Sequence, residues 1–316
     1  MRRVALIYNP ASGQHSNRRR AAIDKALAIL REAGVEAKAH ETIAPGSAGV
    51  LAEQAIRQGC DTIIACGGDG TVHEVLQSLV GTSVALGVVP LGTANALAAN
   101  LGLHSSPAKV VRKLLTAVPE SISVGQIFYQ DATGATRSRY FTVAAGVGAD
   151  ALFISRLNPA LKRRLGYLLY VIEGWRVWFT HSFPLFEAAF VEGPGAQPRV
   201  EQVSELLAVR IRNFGGVLNN FIPGATLHHD GLRLVAFKTR SRLHYFRFLM
   251  AVAFGRQTFS REIEVLDAIS VECRARNGSS PRILVEADGE FLGDLPVRIE
   301  IVPQAVTLLI PLNARP

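Results

Sequence analysis

One stretch constrains the fold more than any other: Asp61-Thr62-Ile63-Ile64-Ala65-Cys66-Gly67-Gly68-Asp69-Gly70-Thr71-Val72-His73-Glu74-Val75-Leu76. Ile63 to Cys66 is an apolar, partly β-branched run of the length expected for a strand buried on both faces of a parallel sheet. Val72, Val75, Leu76 and Leu79 then recur at helical spacing. Between strand and helix, Gly67, Gly68 and Gly70 lack Cβ atoms, so the chain can turn sharply and bring its amides close to a ligand. A helix that starts near Thr71 directs about half a positive elementary charge at the same place. Strand, glycine turn and helix N-terminus together read as a phosphate site. Asp69 is the odd member, because a carboxylate repels phosphate unless a cation or an acceptor hydroxyl lies between them. It is a candidate Mg²⁺ ligand or base; the plainer alternative is a helix cap.

The flanking residues alternate strand and helix throughout 1–125. Strands are expected at Val4–Tyr8, Val35–Thr42, Thr62–Cys66 and Ala85–Val89. Helices are expected at Asn17–Ala33, Gly46–Gln58, Thr71–Leu79 and Thr93–Leu101. This alternation predicts an α/β domain with a mostly parallel sheet, which binds ligands beyond the carboxyl ends of its strands. Asn9–Gly13, Gly67–Thr71 and Gly92–Asn95 all fall at strand-to-helix turns, hence on one edge. From about residue 122 the texture becomes short β-rich runs divided by Gly, Pro and Asn turns, which predicts an antiparallel β-sandwich-like second domain. Its expected strands are Ile122–Tyr129, Tyr140–Ala144, Phe183–Val191, Ser204–Ile211, Leu232–Phe237, Ile263–Val271, Ile283–Ala287 and Val297–Ile301. Helices interrupt these at Leu157–Thr180 and Leu243–Phe254, and Val306–Pro311 is a last strand. The domains so drawn are 1–125, completed by 305–316, and 126–304.

At 316 residues, 48% apolar and 19% charged, the chain can bury two sizeable cores and is not of disordered composition. No apolar run reaches the roughly 18–20 residues that span a bilayer. Met1 to Pro10 places two arginines before a short apolar run, which reads as a first strand rather than a secretory leader. Cys60, Cys66 and Cys273 show no zinc spacing, and as reduced thiols they suit a cytoplasmic protein. A net charge of +8 fits nucleic acid, anionic lipid or phosphorylated substrate. Arg18-Arg19-Arg20 and Lys162-Arg163-Arg164 carry no interleaved stacking aromatics, so no nucleic-acid partner is expected and a solvated helix face is the plain reading. Neither a Walker loop nor the protein-kinase motifs occur.

Gly67-Gly68-Asp69-Gly70-Thr71-x-x-Glu74-Val75 resembles the signature of the diacylglycerol kinase catalytic domain, whose superfamily includes sphingosine and ceramide kinases and, more distantly, NAD kinases and phosphofructokinases. Further matches follow in order. They are Asn9-Pro10-x-Ser12-Gly13, Pro90-Leu91-Gly92-Thr93-Ala94-Asn95, Gly148-Ala149-Asp150-Ala151, Asp230-Gly231-Leu232 and Asp288-Gly289-Glu290. The resemblance implies a lipid kinase that uses ATP and Mg²⁺ to phosphorylate a hydroxyl of a diacylglycerol-like lipid. Asn9, Ser12, Gly13, Thr42, Gly67, Gly68, Gly70, Thr71, Glu74, Thr93, Asn95 and Asp288 would then contact the nucleotide. Arg163 or its neighbour Arg164, in a run like the Arg-Arg-Leu-Gly of sphingosine kinases, would clamp its phosphates. Asp69 and Glu290 would be catalytic, would hold Mg²⁺ together with Asp288, and either could be the base. Asp150 would meet the lipid head group.

Two departures qualify this. Asn95-Ala96-Leu97-Ala98 is similar to sphingosine and ceramide kinases rather than to bacterial diacylglycerol kinases, so the head group is open. Bacterial relatives hold a structural Mg²⁺ with Asp-x-x-Asp-x-Leu; here Leu227 replaces the first aspartate, so that site is expected weak or empty. Leu157–Thr180 sets Trp175, Trp178 and Phe179 beside Lys162, Arg163, Arg164 and Arg176, which fits an interfacial helix drawn to anionic lipid at the inner face of the membrane; packing as core is the alternative. The expected partner is thus a lipid at a membrane surface, and a homodimer stays open. Competing functions are a sphingosine- or ceramide-type kinase, an NAD kinase, and a lipid or nucleotide sensor without turnover.

Overall fold

The computed structural model describes residues 1–10, 12, 16–157, 167–214, 222–255, 260–276 and 282–314. The chain divides into two compact units. The first comprises Met1–Ser123, Asn213–Gly215 and Pro303–Pro316, and the second Val124–Arg212 and Gly216–Val302.

The first unit contains β1 (Arg3–Tyr8), α1 (Ser16–Glu32), β2 (Glu36–Glu41), α2 (Ser47–Arg57), β3 (Thr62–Gly67), α3 (Asp69–Leu79), β4 (Ala85–Pro90), α4 (Ala96–Asn100) and α5 (Pro107–Leu115). β2, β1, β3 and β4 lie side by side, all parallel. Every residue of β3 is buried, which is why its sequence is a continuous apolar run rather than an alternating one. Leu6, Ile7, Ile63 and Ile64 of the sheet and Leu76 and Leu79 of α3 form the core.

The second unit contains β6 (Thr136–Phe141), β7 (Ala144–Val147), α6 (Ala149–Arg156), α7 (Tyr167–Thr180), β8 (Phe186–Val191), β9 (Arg199–Val203), β10 (Glu205–Val209), β11 (Leu232–Phe237), α8 (Arg242–Ala253), β12 (Ile263–Ala268), β13 (Ser270–Arg274), β14 (Leu284–Ala287) and β15 (Glu290–Asp294). Two strands run through the division: β5 (Val118–Gln130) and β16 (Val297–Ile310). One antiparallel sheet has the order β12-β11-β10-β7-β14-β15. In the other, β13 lies between β8 and the first part of β16, Val297–Glu300. Phe186, Phe190, Val271 and Ile299 of this sheet pack with Leu206, Leu234, Val147 and Val285 of the first in one core. The last part of β16 pairs in parallel with β4 at Thr307 and Leu308.

The α/β class of the first unit and the antiparallel character of the second agree with the sequence, while several boundaries do not. α3 begins at Asp69 rather than Thr71, because Gly68 is the extended residue before the first turn. The helix expected over Thr93–Leu101 is only Ala96–Asn100, because Asn95 is left-handed, with φ 52°. α5 was not foreseen; Pro107 opens it and Val110, Val111 and Leu114 bury its apolar face. The helix expected over Leu157–Thr180 starts within the described residues at Tyr167, Leu157 being extended at the end of α6. Residues 158–166 lie outside the described residues. The two strands expected at Val297–Ile301 and Val306–Pro311 are one, β16.

Candidate functional site

In the first unit the turns after β1, β2 and β3 border a cleft of ≈ 390 Å³. Its lining includes Asn9, Ser12, Thr42, Gly68, Gly70, Thr71 and Glu74, seven of the residues singled out for nucleotide contact, together with Ile43 and Ala44. Gly13 and Arg163 lie outside the described residues. The parallel register produces the convergence. Asn9 donates to the Cys66 carbonyl at 3.2 Å and Thr42 to the Tyr8 carbonyl at 2.9 Å, so the ends of three adjacent strands are tied at one level. The N-terminus of α3 opens at the same level, with Gly68 and Gly70 in its first turn.

Behind the cleft, two glycine turns come into near contact. A Cβ on Gly92 would lie 2.5 Å from the Gly68 Cα, so only hydrogen at residue 92 lets the Pro90–Asn95 turn rest on the Gly68 turn. Gly92 donates to Asn95 Oδ1 at 2.9 Å and Asn95 Nδ2 returns a bond to the Gly92 carbonyl at 2.8 Å. Asp69 completes the lock. Its Oδ2 accepts from the Asn95 amide at 2.9 Å and its Oδ1 from the Ala96 amide at 2.7 Å. Asp69 therefore caps α4, a neighbour, rather than its own helix. Glu74 acts similarly on α2: its two oxygens accept from the Gly46 and Ala48 amides at 2.8 and 2.9 Å. Thr93 and Asn95 belong to the Gly92 turn rather than to the cleft lining.

Arg19, read from sequence as part of a solvated face, is 8% exposed and donates to the carbonyl of Pro10, a cleft residue. Burial lowers its pKa below the usual guanidinium value. Arg20, one residue on, is exposed, so the triplet divides between an anchor and a surface charge.

The second unit holds Asp150, Asp288 and Glu290. Asp150 sits in the first turn of α6, behind Gly148 with φ 124°. Its carboxyl rests over Gly146, where a Cβ would lie 2.4 Å from Oδ2. Glu286 is the cross-strand neighbour of Gly146 on β14, and the two carboxyls are hydrogen-bonded. Burial raises the pKa of Asp150. Burial first, and the nearby Asp150 second, push Glu286 well above the usual carboxylate value. Glu205, 3% exposed, accepts from the amides of Ala149 and Asp150 and so caps α6; its pKa is also well raised, by burial and then by Asp150. The Asp288 carboxylate accepts from the amides of Thr142, Val143 and Ala144 at 3.0, 2.9 and 3.1 Å, which fixes the bend between β6 and β7. Glu290 opens β15. Among the described residues, no three His, Cys, Asp or Glu are grouped so as to hold a metal ion.

Sequence reading missed Glu205, Glu286 and Arg210. Glu286 stands inside a short apolar strand run, Leu284-Val-Glu286-Ala, and Glu205 and Arg210 bracket another, Glu205-Leu-Leu-Ala-Val-Arg210, where a charge is either buried with partners or absent. That signal was available.

Residues 3–127 match the family model described as the diacylglycerol kinase catalytic domain, and residues 142–310 match the YegS C-terminal NAD kinase beta sandwich-like domain. A diacylglycerol kinase of Bacillus subtilis (strain 168) is 27% identical over 299 residues, covering 94% of this chain and 92% of the relative. One of Mycobacterium tuberculosis (strain ATCC 25618 / H37Rv) is 30% identical over 316 residues, covering 98% and 95%. Among solved structures, a diacylglycerol kinase of Bacillus anthracis str. Sterne superposes with a TM-score of 0.71 at 18% identity, over 99% of this chain and 98% of that one. Yeast NADH kinase complexed with NADH gives 0.54 at 10% identity, over 98% and 83%.

Proposed function

Since the chain belongs to the diacylglycerol kinase catalytic-domain family, we propose that it transfers the γ-phosphoryl group of ATP to a hydroxyl of a diacylglycerol-like lipid. The observation that carries this reading is the cleft at the N-terminus of α3, where strand ends, glycine amides and the Ser12 and Thr42 positions converge. Phosphoryl transfer asks the protein mainly for positioning and charge neutralisation. The first turn of α3 presents amides and the positive end of a helix to the phosphates, and Gly68 and Gly70 let them approach closely. Asn9 and Ser12, which also line the cleft, add polar groups.

Mg²⁺ is taken up in such sites through one or two carboxylates, with phosphate oxygens and waters filling the remaining positions. Asp69 is the candidate for that demand: its carboxylate, in the first turn of α3 next to the cleft residues Gly68 and Gly70, is oriented by two amides. When bound, the ion neutralises charge on the transferred group. Glu290 is the second candidate for taking the acceptor proton, and Asp150 the candidate for the lipid head group. Both are tested by substitution.

The lipid would be reached at a bilayer surface. No helix among the described residues is long and apolar enough to cross a membrane. α7 and α8 expose an apolar band: Ile172, Trp175 and Phe179 on α7, and Leu243, Phe246, Leu249 and Met250 on α8. The two helices meet where Trp178 donates to the Arg242 carbonyl at 3.3 Å. Among the described residues, Arg176 of α7 and Arg242 and Arg247 of α8 are exposed, while Glu173 of α7 is buried. Exposed apolar side chains accompanied by exposed arginines suit a bilayer containing anionic lipid.

The deciding experiment supplies labelled ATP with diacylglycerol, monoacylglycerol, sphingosine, ceramide, phosphatidylglycerol and NAD in parallel. Turnover is expected on diacylglycerol. Turnover confined to a sphingoid base or to NAD would replace the substrate assignment, and ATP binding with no turnover on any acceptor would favour a sensor.

A further inference from the structure

The loop ahead of β11 is where the family's structural cation is expected, and its residues do not fit one. Leu227, at the position of the first metal-binding aspartate, is 3% exposed and packs as core. The carbonyls of Leu227 and Gly231, which a hard cation would seek, already accept hydrogen bonds. Both come from Arg210: one amino group bonds the Leu227 carbonyl at 3.2 Å and the other the Gly231 carbonyl. N–H donors aimed at those oxygens would confront any incoming metal ion with like charge.

Arg210 follows β10 directly, and its amide donates to the Val143 carbonyl at 2.9 Å. Its side chain is 1% exposed, among the largest fully buried in the protein. A buried guanidinium is costly unless oxygens surround it. Here two carbonyl oxygens accept from its amino groups, and the charge of Asp230 opposes the effect of burial. Burial lowers the Arg210 pKa to about 10, so the group stays charged at neutral pH. The planar fork also bridges carbonyls four residues apart in the chain, closing the loop as one ion would.

We propose that Arg210 is a built-in replacement for the structural divalent cation of this loop. The second unit then folds without bound metal, and the divalent-ion requirement of turnover is that of the nucleotide alone. This inference goes beyond the proposed kinase activity, and a melting temperature tests it without any turnover assay.

The first measurement takes the wild-type chain, free of nucleotide, in EDTA and in millimolar MgCl₂ or CaCl₂. The expected result is the same melting temperature in all three. A rise with either metal that persists in Asp69→Asn and disappears in Asp230→Asn would overturn the proposal. The second measurement uses Arg210→Met, which leaves Asp230 and two carbonyls without the guanidinium. Its melting temperature should fall by on the order of 10 °C; an unchanged one would also overturn the proposal. Adding Leu227→Asp to Arg210→Met restores the carboxylate in place of the guanidinium. That double variant should gain stability on adding Mg²⁺, and its failure to do so would refute the equivalence of guanidinium and ion. Should Arg210→Met fail to fold, the wild-type comparison still decides.

Discussion

The carboxylate of Asp69 is held by two backbone amides, whereas that of Glu286 lies against a second carboxyl. Different consequences follow from substituting each. In Asp69→Asn one oxygen keeps its amide, but the side-chain NH₂ must face the other N–H, which costs about 1–2 kcal/mol. Chemical denaturation should register that modest loss, while turnover with labelled ATP falls by about a hundredfold or more. Turnover within a factor of about three of wild type would remove Asp69 from the chemistry. Glu286 predicts a pH effect. Its folded pKa is raised, so the folded chain keeps a proton that the unfolded chain releases between the ordinary carboxylate pKa and the raised one. Stability is therefore greatest below that window and declines as pH rises through it. Glu286→Gln removes the charge and offers an NH₂ to Asp150. It should melt a few degrees above wild type near about pH 8 and match it near about pH 4. A variant that melts lower at both pH values would show the pair is not strained by ionisation.

At the scale of elements, the proposed phosphate site depends on two turns touching. Gly92→Ala would put a methyl 2.5 Å from the Gly68 Cα and 2.9 Å from Asn95 Oδ1, neither of which can retreat without opening the lock around Asp69. A loss of about 1–3 kcal/mol is expected, with nucleotide affinity falling alongside. Gly70 offers the control. It lies in α3, and a Cβ added there would meet no atom within 4 Å, so Gly70→Ala should stabilise the helix by about 0.5–1 kcal/mol. The same methyl enters the cleft, so affinity for ATP should drop while the fold gains. Equal nucleotide affinity in Gly70→Ala would move the phosphates away from α3. Much of this arrangement was legible in the residues: a buried strand, a glycine turn and an apolar helical face announce themselves by spacing. What spacing could not announce is which amide a carboxylate finds. Asp69 reaching α4 and Glu74 reaching α2 depend on contacts 26 to 28 residues apart, set only when the sheet assembles. α4 was overdrawn for the same reason, since the left-handed Asn95 answers to Gly92 and Asp69 rather than to its own helical propensity. Arg210 and Glu286 were legible in principle, as charges at the end of and within apolar strand runs, but a single charge leaves the strand periodicity unchanged and so carries no signal of its partner.

For the molecule as a whole, a net charge of +8 gives every anionic surface some attraction, so affinity for vesicles alone would say little about a docking face. The discriminating quantity is how that affinity responds to apolar side chains and to salt separately. Trp175 and Phe254 are 49% and 71% exposed, so replacing both with Ser should leave the fold and nucleotide binding intact. If their rings enter the headgroup region, co-sedimentation with phosphatidylglycerol-containing vesicles should weaken by at least about tenfold, because each buried ring contributes on the order of 1–2 kcal/mol. Raising the salt concentration should weaken wild-type binding as well, through Arg176, Arg242 and Arg247, but should leave the residual apolar contribution in place. Phe248 marks the contrast: it is 4% exposed and stacks edge-on with Phe237 at 5.1 Å, so Phe248→Ser should unfold the second unit rather than free it from lipid. Vesicle binding that vanishes with salt alone, and is indifferent to Trp175→Ser with Phe254→Ser, would reduce the attraction to bulk charge and leave the apolar band without a role.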